Sequence, residues 1–144
     1  MKVLFICTGN TCRSPIAEGL LKDIASTNNL DLKIKSAGIY TANGEEASKN
    51  AIRALEKLNI DISNHKSQIV TKELIHEADL ILTMSKSHKE ALLLDYPHIR
   101  EKVYLLSEYA FGEERDIADP FGMNLHNYEI ARDEIYNALK NIKW

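Results

Sequence analysis

The sequence predicts an α/β domain with a four-stranded parallel sheet, and two features of its apolar pattern lead to that expectation. Short continuous apolar runs alternate along the chain with segments whose apolar residues recur at helical spacing. Strands separated by helices are joined by right-handed crossovers, which give a parallel sheet covered on both faces. The 144 residues suit one core, and no Pro/Gly/Ser-rich linker divides them. We therefore expect a single doubly wound domain over residues 1–144.

The first half of the chain carries two predicted strands and two predicted helices. The apolar run Val3–Ile6 predicts the first strand, and Ser14-Pro15 predicts the N-cap and first residue of the following helix. That helix continues to about residue 28. A second strand is expected near 32–36, and a second helix near 51–58.

The second half continues the same alternation. The pattern predicts a short helix near 74–78, a strand over 79–84, a helix capped by Ser85, a strand over 103–106, an irregular stretch over about 111–123 and a closing helix from about 125 to 142. If the strands lie in the order 2-1-3-4, the winding reverses beside the first strand, and ligands bind at the carboxyl end of strands at such a point. Cys7 lies at that end.

Composition narrows the classes of function and partner. Eighteen basic and twenty-one acidic residues give a net charge of −3 without a Lys/Arg block, so a nucleic-acid partner is not expected. No apolar run near the start is long enough for a signal peptide or membrane span, which favours a cytoplasmic protein without a membrane partner. Two cysteines and five scattered histidines show no metal-ligand spacing. We expect neither metal nor cofactor.

The segment that links the first strand to the first helix carries the predicted chemistry. Successive backbone N–H groups of such a loop can converge on one anion, and phosphate is the natural occupant. A thiol beneath them, at a helix N-terminus and near Arg13, is expected to exist largely as thiolate, which makes Cys7 a nucleophile. The guanidinium of Arg13 suits two phosphoryl oxygens, and Ser14 can donate to the thiolate. The expected phosphate-binding residues are Thr8, Gly9, Asn10, Thr11, Cys12 and Arg13.

Neither the cysteine nor its spacing from arginine is decisive alone. A lone cysteine is more often a small buried apolar residue, and Cys-x5-Arg occurs by chance. The motif here joins a strand to a helix, holds Gly and Asn where a tight turn is needed, and precedes Ser-Pro at the helix start. These joint requirements favour the nucleophile.

Phosphoryl transfer to a thiolate also needs a proton donor for the leaving group. Asp119 is the best candidate, because it lies in the irregular stretch and Pro120 stiffens the backbone beside it. Asp116 is the alternative, and the residues alone are equally consistent with Asp119 as a solvated loop aspartate.

With these residues in place, the sequence resembles the low-molecular-weight protein-tyrosine phosphatase family over its full length. Cys7 to Pro15 match the signature loop of that family, Ser36-Ala37-Gly38 match its Ser-Ala-Gly, and Asp119-Pro120 match its general-acid Asp-Pro. The resemblance implies a cysteinyl-phosphate intermediate, with Asp119 as acid in the first step and base in the second.

The resemblance also implies roles for residues around the loop. Asn10, Ser14, Ser36 and His65 match a hydrogen-bond network that supports the strained loop in that family. Cys12 resembles a second loop cysteine that can form a reversible disulfide with the nucleophile, which would protect Cys7 from terminal oxidation.

Two positions resemble the bacterial protein-arginine phosphatase branch of the family. Thr11 stands where tyrosine phosphatases usually carry a branched aliphatic residue, and Phe121-Gly122 stand where they usually carry adjacent tyrosines. A hydroxyl at Thr11 could meet a guanidinium whose N–H groups an aliphatic side chain would leave unpaired. Asp119 could pair with that group and Phe121 could stack on it. Neutral drift at position 11 is the alternative.

Four functions compete at this point. The leading hypothesis is a phosphatase that removes phosphate from phosphoarginine in proteins, and the second is a protein-tyrosine phosphatase with the same mechanism. An arsenate reductase would need further cysteines to relay a disulfide, and none occurs beyond Cys12. A phosphoprotein-binding module would need neither nucleophile nor acid. The expected partners are phosphorylated proteins, and the expected state is a monomer.

Overall fold

Four parallel strands form one sheet in the order β2-β1-β3-β4. The computed structural model describes all residues from 1 to 144. The strands are β1 (Lys2–Cys7), β2 (Lys33–Gly38), β3 (Leu80–Thr83) and β4 (Val103–Leu105). The predicted α/β class, the number of strands and their order are confirmed.

Six α-helices and one 3₁₀ helix connect and cover the strands. The α-helices are α1 (Arg13–Thr27), α2 (Lys49–Glu56), α3 (Lys72–Glu77), α4 (Lys86–Asp95), α5 (Leu106–Phe111) and α6 (Leu125–Lys140), and the 3₁₀ helix spans Pro97–Lys102. None of them combines the length and the apolar character that crossing a bilayer requires.

The core lies on both faces of the sheet, which explains why the first strand is a continuous apolar run. Side chains alternate along a strand, so Val3 and Phe5 join the larger buried cluster, beneath α1, α2 and α6. Leu4 and Ile6 face the smaller cluster, beneath α3 and α4. A central parallel strand covered on both faces needs apolar residues at every position.

The prediction that Ser14 is the N-cap of the first helix is wrong. The helix begins at Arg13, and the Cys12 N-cap makes no side-chain hydrogen bond to the helix. The Ser14 hydroxyl instead contacts the sulfur of Cys7. The N-cap at Ser85 is confirmed, because its hydroxyl accepts the N–H of His88.

Helix α5 and the 3₁₀ helix were not predicted. Each has six residues, too few for a helical period to stand out from its neighbours. The Glu108 carboxylate accepts the N–H of Leu105 at 3.1 Å, which starts α5 directly at the end of β4. Gly112 ends it in the left-handed conformation, with φ of 73°.

The end of β2 packs directly on the loop that follows β1. The N–H groups of Ile39 and Tyr40 donate to the carbonyls of Cys7 and Thr8, at 3.0 and 2.9 Å. A Cβ atom on Gly38 would lie 2.7 Å from the Thr8 carbonyl oxygen. Residue 38 therefore has to be glycine for the two backbones to approach this closely.

Replacing Gly38 by alanine should destabilise the protein by about 1–3 kcal/mol, because the added methyl group meets backbone that cannot move away. Gly9→Ala is the matched control, since a Cβ there would make an ordinary contact of 3.7 Å with the Thr11 hydroxyl. Urea denaturation of both variants measures the difference. Equal stability of the two would show that the loop adapts to the methyl group.

Candidate active site

The loop over residues 8–12 presents a row of free hydrogen-bond donors. None of the five backbone N–H groups from Thr8 to Cys12 donates to another group of the protein. The loop leads into α1, a helix of 15 residues whose N-terminus carries the positive end of its dipole. Free N–H groups at a helix N-terminus can bind an anion.

The sulfur of Cys7 lies at a cleft of about 660 Å³ whose walls include the 8–12 loop. Cys7 is only 3% exposed, and its Sγ lies 2.9 Å from the Ser14 hydroxyl oxygen. That oxygen already accepts an N–H from Asn10, at 2.8 Å. The hydroxyl proton of Ser14 is thus available to the sulfur, where it can stabilise a thiolate.

Asn10 holds the loop in its strained conformation. Its φ of 56° lies in the left-handed region, and its side chain is fully buried. The Nδ2 atom donates to the hydroxyls of Ser14 and Ser36, at 2.8 and 2.9 Å. Its Oδ1 accepts the N–H of Gln68 at 3.0 Å, and its carbonyl accepts Nε2–H of His65 at 2.7 Å. The four expected support residues therefore lie in one network, which also includes Gln68.

Arg13 connects the loop to the irregular stretch that contains the aspartates. The Arg13 side chain is buried, and its Nη1 donates to the carbonyl of Ile117 at 2.8 Å. Its Nη2 lies 3.6 Å from Oδ2 of Asp119. The Ile117 N–H in turn donates to the carbonyl of Met84, just beyond β3. The stretch is thus fixed beside the cleft at Ile117.

The two candidate proton donors occupy different places. The Asp119 carboxylate is 52% exposed and lines the cleft, and its Oδ1 accepts the N–H of Phe121 at 3.1 Å. The Asp116 carboxylate accepts the N–H of Lys86 at 2.8 Å, at the first residue of α4. Asp116 is thus engaged by a helix N-terminus, and Asp119 faces the space that a substrate would fill.

The remaining walls of the cleft carry the residues expected to set specificity. Thr11 and Phe121 both line it, and Tyr40 lies beside them. Phe121 is 74% exposed and Tyr40 is 84% exposed. Both rings are available to stack on a bound group.

Cys12 lies buried beside the loop, within reach of the closing helix. Its Sγ lies 3.4 Å from the hydroxyl of Tyr128 and 3.6 Å from that of Ser48. Burial, and then the hydrogen bond with Cys12, raise the pKa of Tyr128 to about 12. Tyr128 of α6 therefore contacts the loop residue Cys12 as well as packing in the core. Both cysteines are free thiols.

His88 was missed by the sequence reasoning. It is 5% exposed on α4, and its Nε2 shares a hydrogen bond of 2.8 Å with the hydroxyl of Thr8. Its Nδ1 is buried without a partner. Burial, and then the charge of Arg13, lower the pKa of His88 to about 4. A neutral imidazole therefore supports the loop. No local pattern in the sequence marks His88, because its burial arises from the packing of α4 against the loop.

Comparison with known proteins places this geometry in a family. Residues 2–143 match the family model described as low molecular weight phosphotyrosine protein phosphatase. The chain is 39% identical to a protein-arginine-phosphatase of Bacillus subtilis, over 99% of this chain and 94% of that protein. It is 33% identical to the low molecular weight protein-tyrosine-phosphatase PtpB of Staphylococcus epidermidis, over 100% and 98% of the two chains.

A solved structure gives the same result. A mutant of the arginine phosphatase YwlE that carries a phosphorylated active site serine superposes with a TM-score of 0.95 at 38% identity. The match covers 98% of this chain and 92% of that one.

The buried His88 should make stability depend on pH. The folded histidine titrates near 4 and the unfolded one near 6.5, so the unfolded chain binds more protons between these values. Stability should therefore fall by up to about 3 kcal/mol as the pH drops from 6.5 toward 4. His88→Gln should remove part of this fall in urea denaturation, whereas the same change at the exposed His126 should not. Identical pH profiles for wild type and His88→Gln would contradict the assignment.

Proposed function

Because the chain belongs to the low molecular weight phosphotyrosine protein phosphatase family, we propose that it dephosphorylates phosphoarginine in proteins, with Cys7 as nucleophile. The chain is a cysteine-dependent protein phosphatase, as its family and relatives indicate. We propose in addition that Cys7 is the nucleophile, that Asp119 is the acid and that arginine is the leaving group.

In the first step the Cys7 thiolate attacks phosphorus, and the bond from phosphorus to the guanidinium nitrogen breaks. Asp119 gives its proton to that nitrogen, so arginine leaves with an ordinary protonated guanidinium and Asp119 becomes a carboxylate. The free N–H groups of the 8–12 loop and the buried guanidinium of Arg13 surround the phosphoryl oxygens and stabilise the charge they carry. The product of this step is a phosphate ester of Cys7.

In the second step a water molecule attacks the phosphorus of that cysteinyl phosphate. Asp119, now a carboxylate, accepts the proton of the water, and the bond between sulfur and phosphorus breaks. The Ser14 hydroxyl, 2.9 Å from the sulfur, stabilises the departing thiolate. Inorganic phosphate leaves, and the enzyme returns to its starting protonation state.

The hydroxyl of Thr11 in the cleft wall is the observation that carries the arginine specificity. Its only side-chain hydrogen-bond contact is a long one of 3.8 Å to the sulfur of Cys12, so it remains free for a ligand. A guanidinium brings several N–H groups that need acceptors, and the Thr11 hydroxyl and the unprotonated oxygen of the exposed Asp119 carboxyl group supply them. The exposed ring of Phe121 can stack on the guanidinium plane. The relative of Bacillus subtilis named protein-arginine-phosphatase supports the same conclusion.

Phosphotyrosine is the second candidate substrate. The exposed rings of Tyr40 and Phe121 suit a phenol as well as a guanidinium, and the Staphylococcus epidermidis relative is named a protein-tyrosine-phosphatase. An arsenate reductase is disfavoured because Cys12 is the only cysteine besides Cys7. A binding module without catalysis is disfavoured by the hydrogen bond from Ser14 to the Cys7 sulfur, which binding does not need.

The substrates proposed are phosphorylated proteins, and the place of action proposed is the cytoplasm. The net charge of −3 and the absence of a Lys/Arg block support a protein without a nucleic-acid partner. A monomer without a membrane partner is the state we propose.

The preference for phosphoarginine should depend on the Thr11 hydroxyl. On matched peptides, kcat/KM should favour phosphoarginine over phosphotyrosine, and Thr11→Ile should lower the phosphoarginine value by about 10-fold or more. Thr11→Ser keeps the hydroxyl and should keep the preference. A wild-type preference for phosphotyrosine would overturn arginine specificity and leave the cysteine mechanism in place.

The role of Asp119 should depend on the leaving group. Asp119→Asn should lower kcat/KM, which reports the steps up to departure of the leaving group, by about 10²–10⁴-fold for leaving groups that need a proton, and far less for an activated aryl phosphate. Asp116→Asn is the control and should change both rates equally and slightly. With the activated aryl phosphate, whose first step needs no acid, rapid-quench trapping of phosphate on Cys7 should succeed in the Asp119 variant, because only its second step is slowed. Equal losses for good and poor leaving groups would remove Asp119 from the acid role.

A further inference from the structure

The hydrogen-bond network that supports the loop continues to a carboxylate on the side of the loop away from the cleft. Oε1 of Glu18 lies 2.5 Å from the hydroxyl oxygen of Ser36. Glu18 is on α1, one turn after Ser14, and its side chain is 18% exposed. The Lys22 ammonium lies 2.6 Å from Oε2, which leaves Oε1 to Ser36. Glu18 lines a surface groove on this side of the loop. The charged and titratable groups around the groove are Glu18, Lys22, Lys35, Asp61, His65 and Lys66.

Counting donors and acceptors gives the network one direction. A carboxylate only accepts, so the single proton of the Ser36 hydroxyl goes to Glu18. The Ser36 oxygen then accepts one N–H of Asn10, at 2.9 Å. The Asn10 amide cannot be turned round, because its Oδ1 accepts the backbone N–H of Gln68.

The same count decides the orientation of the hydroxyl beside the nucleophile. The second Nδ2 proton of Asn10 goes to the oxygen of Ser14, at 2.8 Å. The proton of Ser14 is left for the sulfur of Cys7, at 2.9 Å. The network of hydrogen bonds therefore ends in an acceptor on both sides. The Glu18 carboxylate accepts from Ser36 at one end, and the Cys7 thiolate accepts from Ser14 at the other.

We propose that Glu18 is a positioning residue: its carboxylate takes the Ser36 proton, so that the Ser36 oxygen accepts from Asn10 and helps hold the Asn10 amide where its second N–H reaches Ser14, which donates to the Cys7 thiolate. Glu18 touches neither substrate nor sulfur, and it acts through Ser36. This proposal rests on the proposed role of Cys7 as nucleophile. It does not depend on which phosphorylated residue is the substrate.

Removal of Glu18 should change thiolate formation at Cys7 in opposite directions, depending on whether Glu18 acts through the hydrogen-bond network or only through its charge. The negative charge of Glu18 alone disfavours a second negative charge on Cys7, so its removal would by charge alone favour the thiolate. Loss of the acceptor instead frees the Ser36 proton to turn toward Asn10, which weakens the donor chain that ends at the sulfur. The two effects have opposite signs.

The test measures how readily Cys7 forms its thiolate, with no phosphorylated substrate present. In the reduced full-length protein, alkylation of Cys7 by iodoacetamide is followed across pH by peptide mass spectrometry. Glu18→Met keeps the length of the side chain without an acceptor, and it should move the midpoint of the pH profile up by about 0.5–1 unit. Ser36→Ala should give a similar shift, and the double variant should shift no further.

Two controls separate the network from charge and from general damage. Glu18→Gln keeps an acceptor oxygen without the charge and should shift the midpoint less than Glu18→Met. Glu129→Met removes an ion-paired glutamate from α6, 2.8 Å from Lys57, and should not shift it. If Glu18→Met does not fold, Glu18→Asp withdraws the carboxylate from Ser36 and should give the same upward shift.

Three results would overturn the proposal: a shift to lower pH, no shift, or additive shifts from Glu18→Met and Ser36→Ala. None of them would bear on arginine specificity, because alkylation needs no phosphoryl group. Conversely, a wild-type enzyme that prefers phosphotyrosine would leave the alkylation result unchanged.

Discussion

The left-handed turn at Asn10 is the constraint on which the rest of the site depends. With φ of 56°, it lets the loop leave its five N–H groups unpaired by the protein and available to an anion. A non-glycine residue in this region costs on the order of 1–3 kcal/mol unless its surroundings hold it there. The protein holds it through both amide atoms and the carbonyl of Asn10, with partners on α1, on β2 and on the segment that contains His65 and Gln68.

The sheet order explains why those partners are within reach. β1 lies between β2 and β3, so the loop after β1 has a neighbouring chain on each side. The β2 side supplies Ser36 and Gly38, and the segment beyond it is joined to Gly38 by the hydrogen bonds of Gln68 and Val70. The β3 side supplies His88 and, through the Met84 carbonyl, the anchor for Ile117. At this topological switch point the loop therefore borders a ligand crevice and also receives hydrogen bonds from the segments that follow both neighbouring strands.

The sequence could predict the features that depend on neighbouring residues, but not those that depend on contacts between distant segments. The strands, most helices and the 8–12 loop carry local signals in their own residues. Asn10, Ser14, Ser36 and His65 were grouped only through the family resemblance, because their contacts cross up to 55 residues of sequence. Gln68, His88 and Glu18 give no local signal, since an ordinary polar residue on a helix or loop becomes part of the site only through tertiary packing. Ser14 was predicted as an N-cap because Ser-Pro is a typical local pattern for one. Its contact with the Cys7 sulfur arises only in the folded protein.

The arrangement of charge around the cleft follows from the chemistry proposed for Asp119. An acid must still carry its proton when the leaving group departs, and Asp119 shares the cleft with the Arg13 guanidinium, 3.6 Å away. A bound phosphoryl group places its own negative charge on Arg13 and opposes a second charge on Asp119. A cationic His88 would offset part of the negative charge that the phosphoryl group brings. Burial keeps its imidazole neutral, with a pKa of about 4, so the Thr8 hydroxyl is held without adding a positive charge beside the cleft. The packing of α4 against the loop thereby leaves Arg13 as the cation nearest the acid.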